Sequence, residues 1–167
     1  MAAAIDESAE KDPNRCAMLI IFEQLGCRIL DLGGTITVNK KAAEAAEGNS
    51  FVIRSKDVLV VRKVYKTVAI YGVKHDAIRG ARGRLLRRCL LKIGDGNALV
   101  RLVNGKPCPR EQLSARIAAV CQASPTTLFK SRVNVLRQAG DITGIKALAA
   151  TRGTNMETIV KYYVGEK

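Results

Sequence analysis

Residues 109–140, PREQLSARIAAVCQASPTTLFKSRVNVLRQAG, constrain the fold most strongly, because they predict two helices joined by a tight turn. The first helix should span about residues 110–121, where apolar side chains recur every three or four positions: Leu113, Ile117, Val120 and Cys121. Gln122 and Ala123 form the predicted turn. Ser124 should cap the second helix, and Pro125 suits its first position because proline has no amide hydrogen. Gly140 should end that helix in a left-handed conformation.

The second predicted helix has one apolar and one polar side. The apolar side carries Leu128, Phe129, Val133, Val135, Leu136 and Ala139, and the polar side carries Thr126, Thr127, Lys130, Ser131, Asn134 and Arg137. The polar side chains suit contact with base edges in the major groove of DNA, and the two cations among them suit contact with phosphates. A helical hairpin with a solvated polar face is the alternative. Arg132 falls within the apolar side, so it must extend to solvent, pair with an acid, or show that the helix phase is wrong.

A strongly basic segment lies before this helix pair. The whole chain of 167 residues has a formal net charge of +13, and residues 54–92 hold twelve Lys or Arg against only Asp57 and Asp76. Residues 76–93 predict an amphipathic basic helix with Ile78, Ala81, Leu85 and Cys89 on its apolar side. Gly80 and Gly83 weaken that helix and indicate either close packing or a later start. This charge favours nucleic acid as the partner, ahead of a ribosome or an anionic membrane surface.

The remaining segments predict a mainly helical domain. We expect residues 1–12 to be a flexible tail, and residues 13–167 to form a single mostly helical domain with a helical extension over 141–167. Asp12 and Pro13 should start a helix. Residues 16–32 favour a buried helix of about fifteen residues that ends at Gly33 and Gly34, with a helix followed by a strand as the alternative. A small two-stranded β element is expected near residues 35–53, with a short helix over 40–47 inside it. Residues 56–73 predict another helix, although the run VLVV is a competing strand signal.

Several classes of site receive no support from the sequence. The five cysteines are odd in number and form no CxxC pair or Cys/His cluster, so we expect neither a metal site nor a disulfide framework, and a reducing intracellular compartment suits them. His75 adjoins Asp76 but has no identifiable nucleophile nearby, and the carboxylates are scattered. We therefore expect no enzyme, no catalytic residue and no cofactor. No apolar run is long enough to span a bilayer, so no membrane association is expected.

The segment from about residue 55 to 139 resembles the helix-turn-helix part of a cyclin-type repeat in transcription factor IIB and its archaeal relatives. The matching positions are Ile117, Ala118, Val120, Ser124, Thr127 and Leu128. Gln122 stands where that family has a turn glycine, and Arg132 stands where it has an aromatic or apolar residue. The resemblance implies contact with double-stranded DNA through the second helix. The family's zinc ribbon is missing, and the chain has room for one repeat rather than two.

These observations predict a nucleic-acid-binding protein, with double-stranded DNA favoured and RNA as the other ligand. A transcription or genome-maintenance factor would act in the nucleus or nucleoid. The expected contacts come from two groups of residues: Arg79, Arg84, Arg87, Arg88 and Lys92 on the basic helix, and Thr126, Thr127, Lys130, Asn134 and Arg137 on the second helix of the pair. The alternative is a structural packaging protein, such as a viral nucleocapsid or chromatin-like subunit. Such a protein would bind RNA or DNA through charge and form homo-oligomers through its terminal helices.

Overall fold

A computed structural model describes residues 1–65 and 68–163, with side chains through residue 161 apart from that gap. The described residues form an α+β domain, which is more mixed than the mainly helical class expected. Its helices are α1 (Ala2–Lys11), α2 (Pro13–Leu25), α3 (Lys40–Ala45), α4 (Val68–Tyr71), α5 (Gly80–Ile93), α6 (Leu113–Cys121), α7 (Pro125–Gln138), α8 (Ile142–Arg152) and α9 (Met156–Tyr163). Its strands are β1 (Gly34–Thr37), β2 (Asn49–Ile53), β3 (Val58–Arg62) and β4 (Lys74–Ile78).

The four strands form one mixed sheet in the order β1, β2, β3, β4. β1 and β2 are parallel and are connected through α3, whereas β2–β3 and β3–β4 are antiparallel. The predicted element near residues 35–53 is therefore confirmed as strands, but it is half of a larger sheet. The predicted helix over residues 56–73 is wrong in most of its length, because β3 and the short α4 occupy it. All five residues of β3 are buried, so the strand lacks the alternation that would have identified it.

Helix α2 lies at the centre of the main core. Asp12 caps it by accepting a hydrogen bond from the Arg15 amide at 2.9 Å, as expected. It ends at Leu25, with Gly26 in the left-handed conformation, and not at Gly33. Helices α1, α5 and α6 pack around it. Residues 1–12 are not a flexible tail, because α1 forms there and the Ile5 side chain is fully buried against the core.

The sheet is covered on both faces. Phe51, Val58 and Val60 belong to the main core with α2 and α5, whereas Val52 and Leu59 pack with Ala43 of α3 on the other face. The predicted helix over residues 40–47 is confirmed as α3. A third cluster joins the last three helices through Phe129, Val133, Leu136, Ile145, Leu148, Ala149 and Ile159. The predicted C-terminal helices are thus present, and only residues 164–167 of that extension lie outside the described part.

Candidate nucleic-acid interface

The basic helix expected over residues 76–93 is present as α5, but it starts at Gly80 because β4 occupies the residues before it. Its buried side consists of Gly83, Leu86, Cys89, Leu90 and Ile93. This places Leu86 in the core and leaves Ala81 exposed and Leu85 half-buried, which corrects the predicted helix phase. The cations of α5 fall on two different flanks of that buried side.

One flank is neutralised by acids of α1 and α2. Arg82 Nε lies 2.9 Å from Glu23 Oε2, and its Nη1 lies 3.1 Å from Asp6 Oδ1. Lys92 Nζ lies 3.1 Å from Glu10 Oε2. The Lys92 ammonium, first through its hydrogen bond and then through its charge, lowers the pKa of the Glu10 carboxyl. Lys92, expected to contact nucleic acid, is therefore engaged with α1.

The other flank faces an open groove of about 710 Å³ between α5 and the turn that joins β2 to β3. We call it the α5 groove; it is lined by Ser55, Lys56, Ala81, Arg84, Leu85, Arg87 and Arg88. All four of its charged lining residues are cations. Across the described ranges 1–65 and 68–163, Lys56, Arg84 and Arg88 form no hydrogen bond or ion pair through their side chains. Three of the five predicted residues of the basic helix thus come together in one concavity.

The turn beside the groove is held in place by its own charged residues. The Arg54 amide donates to the Asp57 carbonyl at 3.0 Å, and the Arg54 guanidinium donates to both Asp57 carboxylate oxygens at 2.5 and 2.7 Å. Arg87 Nε then donates to the Arg54 carbonyl at 3.0 Å, which fixes one wall of the groove to the other. Arg79 Nε lies 3.6 Å from Asp57 Oδ2, so Arg79 helps to neutralise the only acid of this turn. Neither Arg79 nor Asp57 lines the groove.

Gly83 allows α5 to pack closely against the end of β4. A Cβ atom at residue 83 would lie 2.3 Å from the Ile78 carbonyl oxygen and 3.8 Å from Asp57 Cα. The Ile78 contact is too short and cannot be relieved by a side-chain rotation, because the oxygen belongs to the backbone, whereas the Asp57 distance is an ordinary van der Waals contact. The close-packing interpretation of this glycine is therefore confirmed.

The second candidate surface is the outer side of α7. Ser124 Oγ accepts from the Thr127 amide at 3.1 Å, Pro125 opens the helix, and Gly140 follows it with φ +66°, all as expected. The turn before α7 places Gln122 at φ 57°. Leu128, Phe129, Val133 and Leu136 are buried as predicted, but Val135 is 52% exposed and Ala139 is exposed as well.

The predicted contact residues of α7 are not equally accessible. Thr126, Thr127, Lys130 and Arg137 are exposed, whereas Asn134 is half-buried and its Oδ1 atom is enclosed without a hydrogen-bond partner. The Thr127 hydroxyl also lies 2.8 Å from Ser124 Oγ, within the cap. Arg132 is half-buried with an enclosed Nε, and its side chain appears in no ion pair among the described residues.

Helices α5 and α6 lie on different sides of α2. Glu23 contacts α5 through Arg82, whereas Met18 lines a groove with Arg116 and Val120 of α6. Five residues of an α-helix correspond to a rotation of about 140°, so α5 and α6 pack on well-separated sides of α2.

The sequence missed the contribution of Ser55 and Lys56 to the α5 groove. The available signal was the run RSKD between two β-branched segments, which is typical of a hairpin turn, but the following strand was interpreted as a helix.

Metal ligation, membrane spanning and cysteine pairing concern the same described residues, 1–65 and 68–163. Among them, no group of three or more His, Cys, Asp or Glu side chains could hold a metal ion, and no helix is both long and apolar enough to cross a bilayer. All five cysteines are free, and four of them are buried. No family model, curated protein or solved structure matches this chain.

Proposed function

We propose that this protein binds nucleic acid and holds its phosphate backbone at the α5 groove. The observation that carries this proposal is the concentration of Lys56, Arg84, Arg87 and Arg88 around one concavity without an acidic lining residue. Backbone phosphates are the commonest partners of Arg and Lys in such interfaces, and these contacts carry no sequence information. The net charge of +13 adds a long-range attraction for any polyanion.

The test compares two variants with the same change in charge. Arg84→Gln with Arg88→Gln removes two cations from the groove, and Lys40→Gln with Lys41→Gln removes two exposed cations from α3, on the other side of the sheet. Fluorescence anisotropy with a random-sequence duplex, between about 50 and 200 mM salt, gives the affinity and the salt slope. We expect the groove variant to bind less tightly and to lower the slope by up to about 1.8, since each lost phosphate contact removes about 0.9.

The α3 variant controls for net charge alone. It should keep the wild-type salt slope, with at most a small change in affinity, because its cations are remote from the groove. Equal losses in the two variants would show that binding depends on overall charge and would contradict a phosphate site at α5.

A second candidate function is recognition of double-stranded DNA by α7, as in a transcription or genome-maintenance factor with a helix-turn-helix. Its support is the capped start of α7 and the exposed Thr126, Lys130 and Arg137 along the outer side. If α7 reads base edges, Lys130→Ala with Arg137→Ala should flatten a sequence preference determined by selection from random duplexes. An unchanged preference in this variant, alongside weaker binding in the α5 variant, would leave backbone contact as the mode of binding.

A packaging role would use the same α5 contacts without sequence preference. It is distinguished by assembly: size-exclusion chromatography with light scattering should show growing complexes on RNA or DNA, whereas a site-specific factor should keep a fixed stoichiometry.

A further inference from the structure

We propose that the α5 groove takes a terminal phosphate, a phosphomonoester or a polyphosphate end, in preference to the internal phosphodiester of a nucleic-acid backbone. This inference deepens the proposed function and rests on the groove being the phosphate site. A terminal phosphate has two natural sources, the phosphorylated end of a nucleic acid strand and the phosphate chain of a nucleotide, and both present the same chemistry.

The cations of the groove converge from two walls. Arg84 and Arg88 are four residues apart on α5, hence one turn apart on the same side of the helix. Lys56 and Ser55 belong to the opposite wall. The Ser55 hydroxyl has no hydrogen-bond partner within residues 1–65 and 68–163, so it remains available as a donor. A compact phosphate end can accept from donors on both facing walls at once, whereas an internal phosphodiester has only two free oxygens to offer them.

Arg87 is positioned in advance. Its Nε donates to the Arg54 carbonyl, and the two terminal nitrogens have no partner in the described chain. The guanidinium is therefore held by the turn through Nε, while its terminal nitrogens remain able to donate to phosphate oxygens. Asp57, the nearest acid of the turn, is bonded to Arg54 and lies beside Arg79, so its charge is balanced outside the groove.

Charge distinguishes the two kinds of phosphate. A phosphodiester carries one negative charge, whereas a terminal phosphate carries about 1.5 to 2 at neutral pH and offers three strongly accepting oxygens. Four cations around one site interact more strongly with the more highly charged group.

The size of the groove allows more than a phosphate. A volume of about 710 Å³ falls within the range of about 300 to 1,000 Å³ found for small-molecule sites. Ala81 and Leu85 supply an apolar part of the lining, against which the sugar of an end nucleotide can pack.

The experiment uses one short oligonucleotide in three forms, with a 5′ phosphate, with a 3′ phosphate, or with hydroxyls at both ends. Competition against a labelled backbone probe measures the affinity of each form for the full-length protein, and a nucleoside triphosphate is the fourth competitor. We expect a phosphorylated form to bind on the order of tenfold more tightly than the hydroxyl form. The advantage should shrink as the pH falls below about 6, where the second phosphate proton binds.

Variants locate the preference. Arg84→Gln with Arg88→Gln should abolish it, Ser55→Ala should reduce it, and Lys40→Gln with Lys41→Gln should leave it intact. Circular dichroism checks that each variant is folded, and all the substituted side chains are exposed.

The outcomes separate this inference from the function it rests on. If all three oligonucleotide forms bind equally and the groove variant weakens each, the backbone site stands and the terminal preference is overturned. If only the triphosphate competes strongly, the terminal-phosphate chemistry is supported and its source is a free nucleotide. If none of the competitors binds more weakly to the groove variant than to wild type, both proposals are overturned.

Discussion

At the scale of single residues, Arg62 is the most constrained side chain, because it is a cation with no exposed surface. Its guanidinium donates to Asp31 at 3.1 Å, to Asp76 at 2.6 Å and to the Thr151 carbonyl at 2.7 Å. Arg62→Met leaves Asp31, which is 1% exposed, without its cation and should destabilise the protein by roughly 3–5 kcal/mol. Urea denaturation measures this loss.

The double variant tests the cause of that loss. Adding Asp31→Asn to Arg62→Met removes the uncompensated buried charge, so the double variant should be more stable than Arg62→Met alone. If the second substitution only adds a further loss, the cost comes from packing and not from the unpaired carboxylate.

Gln122 is the one residue other than glycine with a positive φ in the described ranges. The left-handed conformation costs a residue with a Cβ roughly 1–2 kcal/mol, and Gln122→Gly removes this cost. Part of the gain is lost because glycine has a larger conformational entropy in the unfolded chain. We expect Gln122→Gly to raise stability by about 0.5 kcal/mol or more. Gln138→Gly, at the end of α7, should instead lower it by about 1 kcal/mol. A loss of stability in Gln122→Gly would show that its side chain contributes more than its conformation costs.

At the scale of elements, the close packing of α5 against the end of β4 depends on Gly83. Gly83→Ala improves helix propensity by about 1 kcal/mol, yet the contact at 2.3 Å with the Ile78 carbonyl must be relieved by moving backbone. We expect a net loss of about 1–3 kcal/mol in stability, which urea denaturation measures. Gly48→Ala is the control, because nothing lies within 4 Å of its added Cβ, and it should be neutral or slightly stabilising. Wild-type stability in Gly83→Ala would mean that the two elements separate without cost.

The elements that local signals define were predictable, and those that distant contacts define were not. Asp12 with Pro13, and Ser124 with Pro125, mark the starts of α2 and α7 through side-chain caps that involve only neighbouring residues. β3 was missed because a strand buried on both faces loses its alternation. α1 was missed because its order comes from packing of Ile5 and from ion pairs with α5, which are far away in sequence.

The candidate site was predictable in the same partial way. The basic periodicity of α5 identified Arg84, Arg87 and Arg88, since their spacing alone places them near one another. The pairing of Lys92 with Glu10, and the wall formed by Ser55 and Lys56, depend on how α1 and the sheet pack on α5. No periodicity within α5 contains that information.

At the scale of the whole molecule, the excess of positive charge makes the few carboxylates important. The α1 helix is attached to α5 through Asp6 and Glu10, and losing these charges leaves Arg82 and Lys92 in a chain whose net charge is already +13. Protonating the fifteen acidic side chains therefore weakens specific pairs and increases the general repulsion together. Both effects are electrostatic and involve exposed charges, so salt should reduce both.

The pH dependence of stability follows from the lowered pKa of Glu10, which the Lys92 ammonium causes first through its hydrogen bond and then through its charge. The unfolded chain takes up this proton near the ordinary pKa of 4.5 and the folded chain only at lower pH, so the stabilisation is complete above that value. It is lost as the pH falls through the folded pKa. We expect the urea concentration at the unfolding midpoint to decrease as the pH is lowered below 4.5. The decrease should be less steep in Glu10→Gln and at high salt. Glu7→Gln on the same helix removes an exposed carboxylate that forms no ion pair in the described chain, so it should retain the wild-type slope. If the two variants show the same slope, the Glu10–Lys92 pair does not couple α1 to α5, and the acid sensitivity arises from net charge alone.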